Sequence, residues 1–282
     1  MILNQSDFGF STEQMTPGEG WHCSHFFYTF DRKRLSELCR SDAFDLTAAK
    51  DQFTQTLNAK AEGRPARMQI GLTSGHKSDF SLMMMDPDPI RIESVHQALM
   101  SSPLGEAITP TWSYVSISEV SEYALSVDGY RQRMIDSGEE EGSSALETKV
   151  GKYAERLKKM NFQRLTPNFP DWPVSCFYPM NKWRYPGANW FQLTSEERHA
   201  LMSEHARSGI KFAGKVSQLI TVGVGLDDWE WGVTLWATNP MHLKQIVYDM
   251  RFDEASAKYA EFGPFYTSYV CSAEKVLAAC GV

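Results

Sequence analysis

Short apolar and aromatic runs of strand length are separated by stretches in which apolar residues recur every three or four positions. The first short stretch is Cys23–Phe30 (CSHFFYTF), an aromatic-rich strand. A helix follows over Leu46–Lys60, then a hairpin of Arg67–Leu72 and Ser78–Met85, a helix over Ile92–Ser101 and a strand over Thr111–Ile117. Roughly 150 residues later the same order returns, as an internal repeat would. A strand at Val174–Met180 (VSCFYPM) leads to a helix over Leu193–Arg207 and a hairpin of Lys215–Val222 and Glu230–Ala237. A helix over Pro240–Ala260 and a strand at Phe265–Cys271 complete it. Strand–helix–strand–strand–helix–strand is the ferredoxin-like order. The chain therefore reads as an α+β protein of two tandem ferredoxin-like domains, whose antiparallel sheets join into a β-barrel flanked by helices. Closing the sheets on each other hides edges that would otherwise recruit further strands.

The repeat divides the chain into residues 1–135, a connection over 136–173, and residues 174–282. The connection opens with Asp136–Thr148 (DSGEEEGSSALET), acidic and rich in Gly and Ser, and reads as a solvated linker. Lys152–Met160 suggests a basic helical turn or two, before the proline-punctuated Thr166–Pro173.

Composition narrows the function classes. The 282 residues are 42% hydrophobic and 22% charged, with a net charge of -7, a balance that supports a sizeable core and argues against general nucleic-acid binding. Five cysteines with no C-x-x-C pair read as thiols in a reducing compartment. No signal peptide is evident and no apolar run approaches the roughly 20 residues of a membrane span, so the expected location is the cytoplasm.

The candidate chemistry lies where polar residues break the apolar pattern. Thr194 and Glu197 fit a capping box. The helix that starts there puts Leu201, Met202 and His205 on one face and His199 on another. His205 is thus presented from the buried side, as a metal ligand or as a hydrogen-bonded core histidine. Gln218 shares a strand face with Val216, Ile220 and Val222; a ligand pocket and a satisfied core amide both account for it. Tyr178 stands beside Pro179, with Lys182 and Arg184 close behind, and Arg251 extends the helical stripe Leu243, Ile246, Val247, Met250. Together these cations suit an acid-rich ligand. Met83–Met85 reads as core, Asp227 and Asp228 diverge at a hairpin tip, and His22 and His25 face opposite ways on their strand, in packing or solvent roles. P-loop, G-x-G-x-x-G, H-E-x-x-H and G-x-S-x-G motifs do not occur.

Five stretches carry a family resemblance: FYPMNKWR (Phe177–Arg184), NWFQLT (Asn189–Thr194), AGKVSQ (Ala213–Gln218), GLDDWEWGVTLWA (Gly225–Ala237) and IVYDMRFDEASAKYAEFG (Ile246–Gly263). With HFFYTFDRKRL and SGHKSDFSLM matching more loosely in the first half, nearly the whole chain resembles the coproheme decarboxylases of the chlorite dismutase superfamily. The resemblance implies peroxide-dependent conversion of iron-coproporphyrin III to haem b, by oxidative decarboxylation of two propionates through a tyrosyl radical. It implies that His205 is the proximal iron ligand, Gln218 the distal glutamine, Tyr178 the radical residue and Lys182 its catalytic neighbour. Arg164, Arg251 and Ser256 would hold propionates. Coproheme iron would be both substrate and redox centre, the protein a homopentamer, and a ferrochelatase the delivery partner. The connection before Pro173 would be a mobile segment beside the pocket. Chlorite-splitting relatives carry arginine at the position of Gln218; chlorite dismutase, peroxidase-like chemistry or non-catalytic haem binding are the alternatives. Ala206, Ile210, Phe212 and Trp183 depart from the family pattern, and Asn58 stands near where a first-half histidine would fall.

Overall fold

The computed structural model describes residues 2–282. Its strands are β1 (His22–Phe30), β2 (Arg67–Thr73), β3 (Phe80–Asp86), β4 (Ile108–Ser118), β5 (Val174–Lys182), β6 (Arg184–Tyr185), β7 (Ala188–Asn189), β8 (Val216–Val222), β9 (Trp231–Ala237), β10 (Ala260–Phe262) and β11 (Tyr266–Val270). Pairing follows β2-β3-β1-β4 in the first half and β8-β9-β5-β11 in the second, the same permutation twice. Antiparallel pairs β4–β8 and β11–β2 join the halves, and β5–β9 closes the ring into an eight-stranded barrel, as the repeat predicts.

Alternation along the strands sorts side chains between the barrel interior and the helix-covered outside. Phe27, Tyr114, Phe177 and Tyr266 meet inside, from both halves. Gly232 on β9 faces the Tyr114 ring, where any β-carbon would collide, so glycine lets β9 lie flat against β5 beside Tyr178. His25 is also inside, its Nε2 on Thr234 Oγ1 at 2.8 Å, and Met83–Met85 is fully core.

Outside, the two halves differ. In the first, Phe26, Tyr28, Phe80 and Leu82 pack against Phe53 of the helix Leu46–Thr56 and Val95 of the helix Pro89–Met100, a closed apolar layer. In the second, Val174, Cys176 and Tyr178 meet Leu243, Ile246 and Met250 of the helix Pro240–Met250. The helix Ser195–Ile210, with the expected capping box of Thr194 and Glu197, contributes no fully buried side chain.

Two expectations need correction. The acidic connection contains a 22-residue helix, Ser144–Leu165, in place of a turn or two. It folds back on a helix over Val127–Asp136, with Tyr130 and Tyr153 stacked at 4.0 Å. Its stripe of Leu146, Val150, Tyr153 and Leu157 is helical in period, but the flanking charges outweigh it in composition. The following segment is tied down, with Arg67 Nε on the Pro167 carbonyl at 2.9 Å and Gln69 on that of Pro170 at 3.1 Å. Secondly, the helix expected over Pro240–Ala260 stops at Met250. The Asp253 side chain captures the Ser256 backbone N–H at 2.9 Å, caps a short helix at Glu254–Ala257 and turns the chain into β10, which pairs with β5. Arg251 is consequently a helix cap and not part of the apolar stripe.

Candidate active site

β5 supplies Tyr178 and Lys182, four residues apart and therefore on one face. Tyr178 is buried against Phe265 at 4.5 Å and Phe262 at 5.8 Å, and that burial pushes its phenol well above the ordinary value. The phenol is therefore protonated across the physiological range. Lys182 Nζ donates to the Ala255 carbonyl at 3.3 Å and lies 4.1 Å from the centre of the Trp190 ring. Its backbone N–H donates to Glu230 Oε2 at 3.1 Å, and the same buried carboxylate pairs with Arg184. Burial lowers the Lys182 ammonium to about 8, against the opposing charge of Asp253, so both protonation states are accessible near neutrality.

The turn that breaks the predicted helix does the assembling. Asp253 Oδ2 stands 3.0 Å from His205 Nδ1, and Ser256 Oγ stands 3.3 Å from the same nitrogen. A carboxylate only accepts, so hydrogen-bond chemistry assigns the proton to Nδ1 and the lone pair to Nε2. Burial by itself would raise the Asp253 carboxyl, but the hydrogen bonds from His205 and Ser256 together hold it below the usual range. Asp253–Ser256 thus touches His205 through Asp253 and Ser256, and Lys182 through Ala255. The Ser256 hydroxyl, expected to bind propionate, stands beside the imidazole. His205 itself is half-buried, with Leu201 and Met202 of the same helix packed on Trp190, Ala255 and Tyr259.

Gln218 is exposed, not buried, on the β8 face it shares with Val216 and Ile220. It lies opposite Leu235, and Leu235 lies opposite Cys176, which places the amide on the same outer sheet face as Tyr178. Two strand spacings and one residue pair separate the two, about 12 Å by strand geometry. Arg251 stacks on Phe262, with its guanidinium 5.0 Å from the ring centre, and its charge opposes the rise in the Tyr178 phenol. It has no carboxylate within 4 Å among the described residues. Arg164 stands apart from this group: it ends the long helix with Nε 3.5 Å from the Glu119 carbonyl. The structure therefore brings together Tyr178, Lys182, His205, Ser256 and Arg251, sets Gln218 on their sheet face, and leaves Arg164 out of contact.

Sequence reasoning missed Asp253, Trp190 and Glu230. Only Asp253 had a signal, an Asp three residues ahead of Ser256 in the spacing of a helix cap. Among the departing positions, Phe212 is buried against Tyr178's cluster, Ala206 and Ile210 are exposed, and the Trp183 ring lies tilted against Tyr185 at 4.9 Å. Asn58 caps its own turn through the Lys60 N–H at 3.0 Å.

The donor set fits one class of ligand. No group of three or more His, Cys, Asp or Glu side chains among the described residues could hold a metal ion. His205, oriented through Nδ1 with Nε2 unpartnered, can supply a single ligand to a metal whose other ligands come from a macrocycle. Lys182 and Arg251, both without carboxylate partners, suit an anionic rim.

Comparison with known proteins agrees. The sequence model of the family described as chlorite dismutase matches residues 46–271. The coproheme decarboxylase of Staphylococcus carnosus is 34% identical over 256 residues, covering 91% of this chain and 94% of that protein. The coproheme decarboxylase of Oceanobacillus iheyensis is 36% identical, covering 90% and 92%. A heme-binding protein from Thermus thermophilus superposes with a TM-score of 0.73 at 29% identity, over 94% of this chain and 96% of that one. A mutant chlorite dismutase from Candidatus Nitrospira defluvii, at 15% identity and a TM-score of 0.68, covers 96% and 100% and shares the fold. No helix is long and apolar enough to cross a membrane among the described residues. With more than half its length matched by the family and the site built on the shared barrel, this chain belongs to the chlorite dismutase family.

Proposed function

We propose that this protein is a coproheme decarboxylase, an oxidoreductase that converts iron-coproporphyrin III into haem b. The observation that carries the reading is the likeness to two coproheme decarboxylases over nine-tenths of the chain. The chemistry of the site supports it. Decarboxylation acts on propionates, and each round takes a propionate, one hydrogen peroxide and one proton to a vinyl group, carbon dioxide and two waters. Hydrogen peroxide supplies the two oxidising equivalents of each round, and the iron of the bound porphyrin would relay them.

The chain's own residues have distinct parts. His205 offers Nε2 to the iron, held at the angle that Asp253 and Ser256 set. Tyr178 would give up an electron to the peroxide-oxidised site together with its proton, the resulting tyrosyl radical would take hydrogen from the propionate β-carbon, and loss of carbon dioxide with a second electron to the same oxidant would leave the vinyl group. Phenylalanine, with no phenolic proton to lose, cannot carry the radical. Lys182 pairs with the reacting carboxylate and, with its ammonium lowered to about 8, hands protons on readily. Arg251 and Ser256 would meet the remaining propionates, Arg164, which stands apart from them at the end of the long helix, would add its charge, and Gln218 would face the peroxide side.

Residues 174–282 form the catalytic unit. Residues 1–135 form a unit without haem, because Phe26, Tyr28, Phe53 and Phe80 fill the layer equivalent to the site. Residues 136–173 connect them. The protein works in the cytoplasm as a homopentamer and receives coproheme from a ferrochelatase. Light scattering tests the oligomer, and co-purification tests the partner. The decisive experiment adds coproheme and then hydrogen peroxide to the purified protein and weighs the porphyrins. Stepwise loss of two carboxyl groups as vinyl forms is expected; unchanged coproheme would overturn the reading. Oxygen release from added chlorite would favour a chlorite dismutase instead.

A further inference from the structure

We propose that Trp190 is the positioning residue for Lys182, its indole face holding the ammonium where it meets a substrate carboxylate. The inference rests on Lys182 belonging to a coproheme-decarboxylating site. The distance from Lys182 Nζ to the Trp190 ring centre, 4.1 Å, is the shortest cation–aromatic contact among the described residues. Trp190 is itself rigidly held, only 3% exposed. Its ring meets Tyr259 edge-on at 5.5 Å, Leu201 and Met202 pack around it, and its backbone N–H donates to the Trp183 carbonyl at 3.0 Å. Lysine, by contrast, has a flexible four-carbon stem that must be confined before it can act.

The surroundings specify what the confined ammonium lacks. It has three N–H donors: one reaches the Ala255 carbonyl, and the group rests on the indole face, which leaves donor capacity unused. Charged and titratable groups approach from every packed element. Asp253 precedes the short helix, Glu230 and Arg184 lie at the β5 and β9 ends, Glu261 lies on β10 and Tyr178 on β5, and Lys258 sits over Tyr259. None forms an ion pair with Lys182 Nζ. An entering propionate would be its first direct anionic partner. The π face favours the cation, opposing the burial that lowers it, so Trp190 both aims Lys182 and preserves its charge.

The test uses the full chain with its lysines reductively dimethylated with ¹³C, a modification that keeps the charge. Lys182→Arg assigns the resonance. In the wild-type protein the Lys182 methyl signal is expected upfield of the exposed lysines, shifted by the indole ring current. Trp190→Leu should abolish that shift and lower the titration midpoint by about one pH unit; Trp190→Phe should keep part of both. With coproheme and hydrogen peroxide, Trp190→Leu should lose roughly tenfold in kcat at little changed coproheme Kd, with Trp190→Phe in between. A wild-type Lys182 signal among the exposed lysines would overturn the proposal. So would an unchanged midpoint in a Trp190→Leu protein whose other lysine signals are intact. If those signals scatter because leucine disrupts folding, the same two readouts in Trp190→Phe decide. Wild-type turnover by Lys182→Arg would instead remove Lys182 from the chemistry, leaving the ring-current result to judge Trp190 alone.

Discussion

Asp253 accepts a 3.0 Å hydrogen bond from His205 Nδ1 across 48 residues of sequence, and that contact aims the other imidazole nitrogen away from the protein's own acceptors. A metal-ligating histidine depends on such a partner for its tautomer and its basicity. Asp253→Ala should weaken coproheme binding about 10- to 100-fold and shift the Soret band, read by absorbance titration. His205→Ala should go further and lose the axial-ligand signature; an unchanged spectrum would remove His205 from the site.

The same contact carries a pH dependence. The Asp253 carboxyl is held below its unfolded value of 3.8, so its stabilisation is fully present above that value and lost as pH falls through the folded one. Thermal denaturation should show wild type more stable than Asp253→Asn at pH 7, with the gap narrowing below pH 4.

Tyr178→Phe keeps the packing against Phe262 and Phe265 and deletes only the phenolic oxygen. The variant should bind coproheme like wild type and make no vinyl product, followed by mass spectrometry. Normal turnover would refute the radical assignment.

Lys182 titrates at about 8 in the fold and at 10.5 unfolded, so between those values the unfolded chain binds more protons and stability rises with pH. Burying the charged lysine therefore costs stability below pH 8. Lys182→Met should raise Tm at pH 7 by a few degrees, with the advantage shrinking as pH climbs from 8 towards 10.5. A constant difference across that range would contradict the burial of the charge.

Leu146 is fully buried near the start of the helix Ser144–Leu165. Leu146→Ala should destabilise the protein by about 2–5 kcal/mol, measured by denaturant titration, as a packed core position does. A change under about 1 kcal/mol would mark the connection as the solvated linker its composition suggests.

Much of the architecture was legible in the pattern. Short apolar and aromatic runs located the eight barrel strands within a few residues, because each must present one apolar face inward and another to the helices. The repeat predicted how they pair. The capping box at Thr194 and Glu197 located the His205 helix, and the resemblance in the second half pointed to Tyr178 and His205. Local composition misled where a few apolar contacts decide. Leu146, Val150 and Tyr153 hold a helix inside an acidic stretch, and Asp253 ends a helix that the apolar stripe would have continued.

What the sequence determined by itself is the set of elements and their repeat, since alternation and capping depend on near neighbours. What only the tertiary structure decided is who meets whom. Asp253 and Ser256 meet His205, Trp190 and Ala255 meet Lys182, and Glu230 meets the Lys182 backbone. Most of these contacts join residues tens of positions apart, and barrel closure, not any local preference, brings them within hydrogen-bonding distance.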